Sequence, residues 1–328
     1  MMKKIAIIGV GQLGSRHLQA LTTVNQSIDI ELVEPYKPMQ EIAMQRYEEM
    51  PHNELIKSVK FVEDISKLSN KLDLVIVATT ANVRRKVVDE LLDTKKVDSI
   101  VLEKVLFQHY EDYDHFSNRF EVLGVKVWVN HPRRLFPFYK QFLADLKNSP
   151  QISYHVQGGE WGMACNALHF IDHLQVLQPF QLPEVVIDTT MLTAEVIESK
   201  RKGCYEVYGT LNGTVGNSSF SLTCTQGEII PTTISIMSDN VRIIVDEYRG
   251  VALYAKRTDN WEWKEYRGKI VLFQSELTGI VADDILMKNQ CTLPTYQDAA
   301  LIHKPFIQKI QEKIETTLGK DFGLCPIS

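Results

Sequence analysis

Three groups of residues have the types and spacing to do chemistry. Gly9-Val10-Gly11-Gln12-Leu13-Gly14 sets glycines in a G-x-G-x-x-G pattern. In that pattern the first glycine permits a tight turn, the second lets backbone amides approach a pyrophosphate, and the third lets a helix pack close to a strand. Glu34 lies 20 residues past Gly14, where a carboxylate accepts both hydroxyls of an adenosine ribose. An acid there repels a 2′-phosphate, so NAD is expected ahead of NADP, with NADP still admissible because Lys37 softens the repulsion. The third group is Cys165, His169 and His173, four residues apart and so on one face of a helix. His169 and His173 have the spacing of a zinc-ligand pair, but the Glu of H-E-x-x-H is missing. Packed side chains explain Cys165 and His173 better, nothing around Cys165 suggests a nucleophile, and no metal is expected.

These residues need elements to hold them. Residues 3–8 read as a strand buried on both faces, ahead of the glycine turn and a helix carrying Leu18, Leu21 and Val24. Further strands are expected at 28–34, 58–62, 73–79, 98–104 and 125–130, with helices at 82–92 and 109–122. Repeated β-α-β of this kind is a Rossmann-type, doubly wound parallel sheet, and its ligands bind beyond the carboxyl ends of the strands. Thr79, Thr80, Glu103, Lys104, Asn130 and His131 all fall at such ends.

After Asn130 the pattern changes. Residues 132–137 read as a linker into a helix reaching Lys147, followed by a strand at 152–158 and a helix over 167–177. Alternating stretches from 184 to 266 read as a mostly antiparallel sheet, with turn signals at Asn212-Gly213 and Ser238-Asp239-Asn240. Helices near 276–288 and 297–316 close the chain. The fold expected is α/β: a dinucleotide-binding domain over residues 1–130, then an α+β domain over 131–328 whose large open sheet offers a surface for substrate or another subunit.

Composition narrows the function classes. At 328 residues two domains are expected, and with a net charge of −5 and dispersed Lys and Arg there is no nucleic-acid or membrane patch. The apolar run 5–10 is too short for a signal peptide or a membrane span. Five widely spaced cysteines fit a reducing, cytoplasmic setting rather than a disulfide framework.

Read in order, Gly9 to His17, Glu103-Lys104, Arg134 to Pro137 and His169-x-x-Asp172 resemble the Gfo/Idh/MocA family, that of glucose–fructose oxidoreductase and inositol dehydrogenase-like proteins. The resemblance spans nearly the whole chain, and the last helix, after Leu293-Pro294-Thr295, looks like the family's terminal helix that packs back on the first domain. It implies NAD(P)-dependent oxidation or reduction of a sugar, cyclitol or nucleotide-sugar hydroxyl or ketone. Lys104 matches the lysine of the family's Glu-Lys-Pro motif, and His169 matches the histidine that acts as general acid or base. Two positions depart: Val105 stands for the motif's proline, and Cys165, with Asn166 next, stands where the family often has an Asp.

Such chemistry needs a proton acceptor with a pKa near neutrality and a cation beside the developing alkoxide. His169 and Lys104 are expected in those roles; Asp172, three residues on, either orients the imidazole or forms a local charge pair. The cofactor is expected on Gly9, Gly11, Gln12, Leu13, Gly14, Glu34, Thr79, Thr80, Glu103 and Lys104, and substrate on Arg134, Trp161, Cys165 and Asn166. Arg134 serves equally well in an interdomain salt bridge, and Trp161 as a plug at the core edge. The expectation is an enzyme acting on CH-OH groups, working as a homodimer or homotetramer through the second-domain sheet. A cofactor-binding regulator of the same fold and a reductase of a non-sugar carbonyl or imine are the alternatives.

Overall fold

The computed structural model describes residues 2–178 and 183–328. In chain order its strands are β1 (Lys3–Ile8), β2 (Ile28–Val33), β3 (Ile56–Val62), β4 (Lys71–Leu72), β5 (Leu74–Val77), β6 (Lys96–Val97), β7 (Ser99–Leu102), β8 (Lys126–Val129), β9 (Ser153–Gly159), β10 (Val185–Asp188), β11 (Leu192–Glu198), β12 (Tyr205–Val215), β13 (Ser218–Thr225), β14 (Ile230–Met237), β15 (Val241–Asp246), β16 (Val251–Lys256) and β17 (Lys264–Arg267). Its helices are α1 (Gly14–Ala20), α2 (Lys37–Glu48), α3 (Ala81–Thr94), α4 (Glu111–Leu123), α5 (Pro137–Lys140), α6 (Leu143–Lys147), α7 (Met163–Leu177), α8 (Gln274–Lys288) and α9 (Tyr296–Leu318). They form two compact units: Met1–Phe107, Glu111–Pro132 and Leu272–Tyr296 make the first, and Gln108–Tyr110, Arg133–Val271 and Gln297–Ser328 the second.

The first unit holds a six-stranded sheet in the order β3-β2-β1-β5-β7-β8, parallel throughout. Every residue of β5 and β7 is buried, which is why these strands read as unbroken apolar runs. The order reverses between β1 and β5, the point at which open parallel sheets take their ligands. Helix α8 belongs to this unit and packs on α1, although it follows the whole of the second sheet in sequence. Its buried Asp283 accepts the backbone N–H of Asn25 at 2.9 Å and the Asn25 side-chain amide at 2.8 Å.

The second unit holds a nine-stranded sheet, β10-β12-β13-β9-β14-β15-β16-β17 with β11 beside β12, antiparallel except for the β9–β13 pair. Strand alternation gives it two faces. One register row, Leu211–Leu222–Val156–Ile234–Val245, is fully buried, and α7 lies against β12 and β13. The next row, Asn212–Ser221–His155–Ser235–Ile244–Leu253, is polar at its centre and ends in the exposed Ile244 and Leu253.

The structure corrects the expected elements in three places. Asn212-Gly213 is not a turn: β12 runs through it, and the chain reverses at Gly216-Asn217. A Cβ on Gly213 would stand 2.1 Å from the Val186 carbonyl oxygen and 2.4 Å from the Phe220 ring, so the glycine serves close approach within a sheet rather than reversal. The helix expected to run unbroken to Lys147 is two short ones, α5 and α6, with Phe138, Phe142 and Leu146 all buried. Helix α7 begins at Met163, four residues earlier than expected, so Cys165 and Asn166 are helical.

Asp283→Ala removes a buried carboxylate that accepts the backbone N–H and the side-chain amide of Asn25. It is expected to destabilise the protein by about 1–3 kcal/mol, read from urea unfolding; an unchanged midpoint would show that α8 is not anchored through this residue.

Candidate functional site

At the sheet's reversal point Gly9 carries φ +85° and donates its N–H to the Val33 carbonyl at 2.9 Å. A Cβ at Gly14 would stand 2.0 Å from the Gly9 carbonyl oxygen, whereas one at Gly11 would meet nothing within 4 Å. The loop is therefore tight where it turns and open at Gly11, where a phosphate would approach. Arg46 of α2 braces it, donating to the Ser15 hydroxyl at 2.6 Å and the Gln12 side-chain oxygen at 2.7 Å, while Leu13 stays exposed. Glu34 follows β2 and accepts the Tyr36 N–H at 3.1 Å.

Across the reversal, the buried Thr79 hydroxyl oxygen has no hydrogen-bond partner among the described residues. An orphaned polar atom of this kind calls for a missing partner. With the open space at Gly11, it makes the edge a fit for a dinucleotide. Thr80 is exposed and hydrogen-bonds Asn82 at 2.6 Å.

Glu103, expected at the cofactor, is buried and turned into the protein. It is hydrogen-bonded to His17 Nε2 at 2.9 Å and accepts from the Asn130 amide. Burial pushes its pKa up, but the hydrogen bond and charge of His17, the Asn130 amide and the Arg84 charge outweigh it and hold the carboxyl below its ordinary value. Lys104, the next residue, is half-buried, and its peptide bond to Val105 is cis. Arg84, in the first turn of α3, donates to the carbonyls of Thr79, Val105 and Leu106.

In the second unit α7 carries Cys165, Asn166 and His169 on its half-buried side. Its start is set from a distance: Glu206 of β12 accepts the Ala164 N–H at 2.9 Å, filling an orphan donor at the helix N-terminus. Cys165, Asn166, Glu160, Glu206, Tyr208 and Arg201 line a cleft of about 610 Å³. Glu160 accepts from the Tyr208 hydroxyl at 3.1 Å and the Gly227 N–H at 2.7 Å. Burial, then the Glu160 carboxylate, pushes the Tyr208 phenol up to about 12. Carboxylates, a neutral phenol and an amide are groups that hydrogen-bond hydroxyls.

Three expected site residues are committed elsewhere in the second unit. Arg134 donates to fully buried Asp172 through Nε at 2.9 Å and Nη2 at 2.7 Å, and to Gln175 at 2.9 Å. Asp172 is thus the local charge pair rather than a group aimed at substrate, and Arg134 is its partner rather than a substrate cation. The reason is the cost of a buried carboxylate, which a bidentate guanidinium meets best. Trp161 donates its indole N–H to the Thr223 carbonyl at 2.9 Å and sets its ring edge-on to Phe170; it closes the core edge and is absent from the cleft lining.

His173 is buried, with Nδ1 2.9 Å from the Tyr154 hydroxyl and Nε2 without a hydrogen-bond partner among the described residues. Among the described residues no group of three His, Cys, Asp or Glu could hold a metal ion. Among them, too, no helix is long and apolar enough to cross a membrane. Sequence reasoning missed His17, Arg84, Glu160, Glu206 and Tyr208. Arg84 shares a helix stripe with buried Val88 and Leu91, and Glu206 and Tyr208 alternate on one side of β12; both patterns were available as signals.

With this geometry in view, residues 3–131 match the Gfo/Idh/MocA family, described as an oxidoreductase family with an NAD-binding Rossmann fold. No curated protein sequence matches the chain. Solved structures share the fold at low identity. A Gfo/Idh/MocA family oxidoreductase from Vibrio cholerae is 15% identical with a TM-score of 0.69, over 97% of this chain and 100% of that one. The UDP-N-acetylglucosamine 3-dehydrogenase GnnA from Acidithiobacillus ferrooxidans is 13% identical with a TM-score of 0.66, over 97% and 99%. A super-repressor mutant of Gal80p from Saccharomyces cerevisiae is 13% identical with a TM-score of 0.69, over 98% and 97%.

Burial first, then the charges of Arg133 and Arg134, holds the His173 imidazole well below its ordinary 6.5. The unfolded chain takes up a proton there that the folded unit refuses. The stability this confers is complete above pH 6.5 and declines as pH falls below it. His173→Asn keeps an acceptor for Tyr154 and removes the titration, so urea unfolding of the variant should show a shallower loss of stability from pH 6.5 towards about 5. Parallel pH curves for the two proteins would contradict this.

Proposed function

We propose that this chain, whose residues 3–131 match the Gfo/Idh/MocA oxidoreductase family and which shares its fold with solved structures such as the Vibrio cholerae oxidoreductase, transfers a hydride between NAD(H) and a hydroxyl or ketone of a sugar-like substrate. The observation that carries this reading is the edge of the first sheet: an open glycine loop, Glu34 beyond β2, and an unsatisfied Thr79 hydroxyl beyond β5. Gly9, Gly11, Gln12, Leu13 and Gly14 would hold the diphosphate, Glu34 the adenosine ribose, and Thr79, Thr80 and Lys104 the rest. Bound there, the cofactor supplies the nicotinamide that takes or gives the hydride.

The side chains do the remainder. Lys104 sits at the carboxyl end of β7, and in this reading its ammonium stabilises charge developing on the substrate oxygen. His169 takes the hydroxyl proton as the carbonyl forms. Glu103 is buried against His17 and Asn130, and in this reading its part is to hold the strand end still. The second-unit cleft, with Cys165 and Asn166 at its wall, supports a hydroxyl-rich substrate. The likeness to the dehydrogenase GnnA agrees in class. The likeness to the Gal80p super-repressor, together with Cys165 where a carboxylate is usual, favours a second reading, a cofactor-binding regulator without catalysis.

The deciding experiment titrates NADH and NADPH by fluorescence, then adds sugars and nucleotide sugars while nicotinamide absorbance is followed. NADH is expected to bind more tightly, because Glu34 meets a 2′-phosphate with like charge. One sugar class should change the absorbance, and Lys104→Ala and His169→Ala should abolish that change, with His169→Ala still binding NADH. Binding without turnover of any class would favour the regulator. Self-association through the open face of the second sheet belongs to the same reading, and Ile244→Glu should lower the mass found by sedimentation equilibrium; an unchanged mass would place the interface elsewhere.

A further inference from the structure

We propose that Arg84 is a positioning residue for the cofactor: it ties the connections after β5 and β7 into one floor beneath the nicotinamide half of the dinucleotide. The inference rests on the NAD(P) reading above.

Arg84 is among the largest fully buried side chains of the protein. Its Nη1 donates to the Val105 carbonyl and, at 2.9 Å, to that of Leu106, and its Nη2 donates to the Thr79 carbonyl. These acceptors lie in two different connections, one leaving β5 and one leaving β7. Val105 directly follows Lys104, and Thr79 carries the buried hydroxyl that has no partner among the described residues. The guanidinium therefore ties the backbone at Thr79 to the backbone that directly follows Lys104.

Strand order assigns which half of the cofactor this is. Glu34 follows β2 and the glycine loop follows β1, so the adenosine end lies on the β2 side. A dinucleotide laid from β2 across β1 continues over β5 and β7, because the order is β2-β1-β5-β7. A planar fork of fixed donors holds carbonyls from two connections in one geometry; a lysine ammonium has donors enough, but on a flexible stem without that fixed spacing. The Arg84 charge also helps keep Glu103 ionised beside His17.

The test compares NADH with ADP-ribose, which keeps the adenosine and diphosphate and lacks the nicotinamide. Both are titrated calorimetrically into the native chain, Arg84→Lys and Arg84→Gln. Gln keeps amide donors without a buried charge and serves if Lys does not fold. The expected result is an affinity for NADH weaker by about tenfold, with that for ADP-ribose held within about twofold. Equal weakening of both ligands, or no change in either for a variant with a native thermal transition, overturns the proposal. A native chain that binds neither ligand overturns the cofactor reading itself, and the proposal with it.

Discussion

Five side chains in the first unit close a hydrogen-bonded ring. Glu103 meets His17 at 2.9 Å and Asn130, Asn130 meets Gln274 at 2.8 Å, Gln274 meets Thr278 at 2.8 Å, and Thr278 returns to His17 at 2.8 Å. A buried carboxylate is tolerated only where its lone pairs are satisfied, and a half-satisfied network is worse than none. That condition locks together α1, the ends of β7 and β8, and the first turns of α8. The glycine loop is held at its helix end through His17, and Lys104 is held by its neighbour Glu103. This end of the sheet is braced from beneath by a buried group that needs every one of its partners.

The second unit solves a similar problem with different parts. Asp172 and Arg134 form one buried pair on the underside of α7, while Arg133, Tyr139 and Glu247 form another cluster nearby, with the Tyr139 hydroxyl 2.7 Å from Glu247. Arg133 also stacks 4.2 Å over the Phe170 ring. With Glu206 capping the N-terminus, α7 is fixed at its start and along its inner side. The side bearing Cys165, Asn166 and His169 is half-buried. Burial thus sorts this helix: its one carboxylate, Asp172, faces the core and is paired, while Cys165 and Asn166 on the half-buried side line the cleft.

What was legible in the sequence was local or periodic. The glycine loop, Glu34 and the strand-end places of Thr79, Glu103 and Lys104 follow from patterns within a few turns of chain. The parallel sheet follows from uniform burial and the second sheet from alternation. What was not legible depends on partners far away. The place of Arg84 on the apolar stripe of its helix is periodic, but what it binds is not legible until the carbonyls of residues 79, 105 and 106 converge on it. Gly213 reads as a turn until Val186 and Phe220 press against it. The early start of α7 is written in Glu206, 42 residues downstream of the N–H it accepts. Asp172 reads as a partner for the His169 imidazole or a local charge pair, and Arg134 as a substrate group or an interdomain salt bridge, because nothing local tells that they bind each other.

The first unit is not one stretch of chain: its last segment, Leu272–Tyr296, comes after nearly all of the second sheet. During synthesis, a nascent chain that has emerged only to Pro132 holds every strand of the parallel sheet yet lacks Gln274 and Thr278 for its buried ring, and Asp283 for Asn25. The half made first is therefore completed late. Through the intervening translation of about 140 residues, some 7–30 seconds at ordinary ribosomal speeds, Glu103 and His17 are short of partners and α1 lacks its cover. A ribosome that stalls in this interval releases a chain with a finished sheet and an unfinished core, a natural substrate for chaperones and proteases.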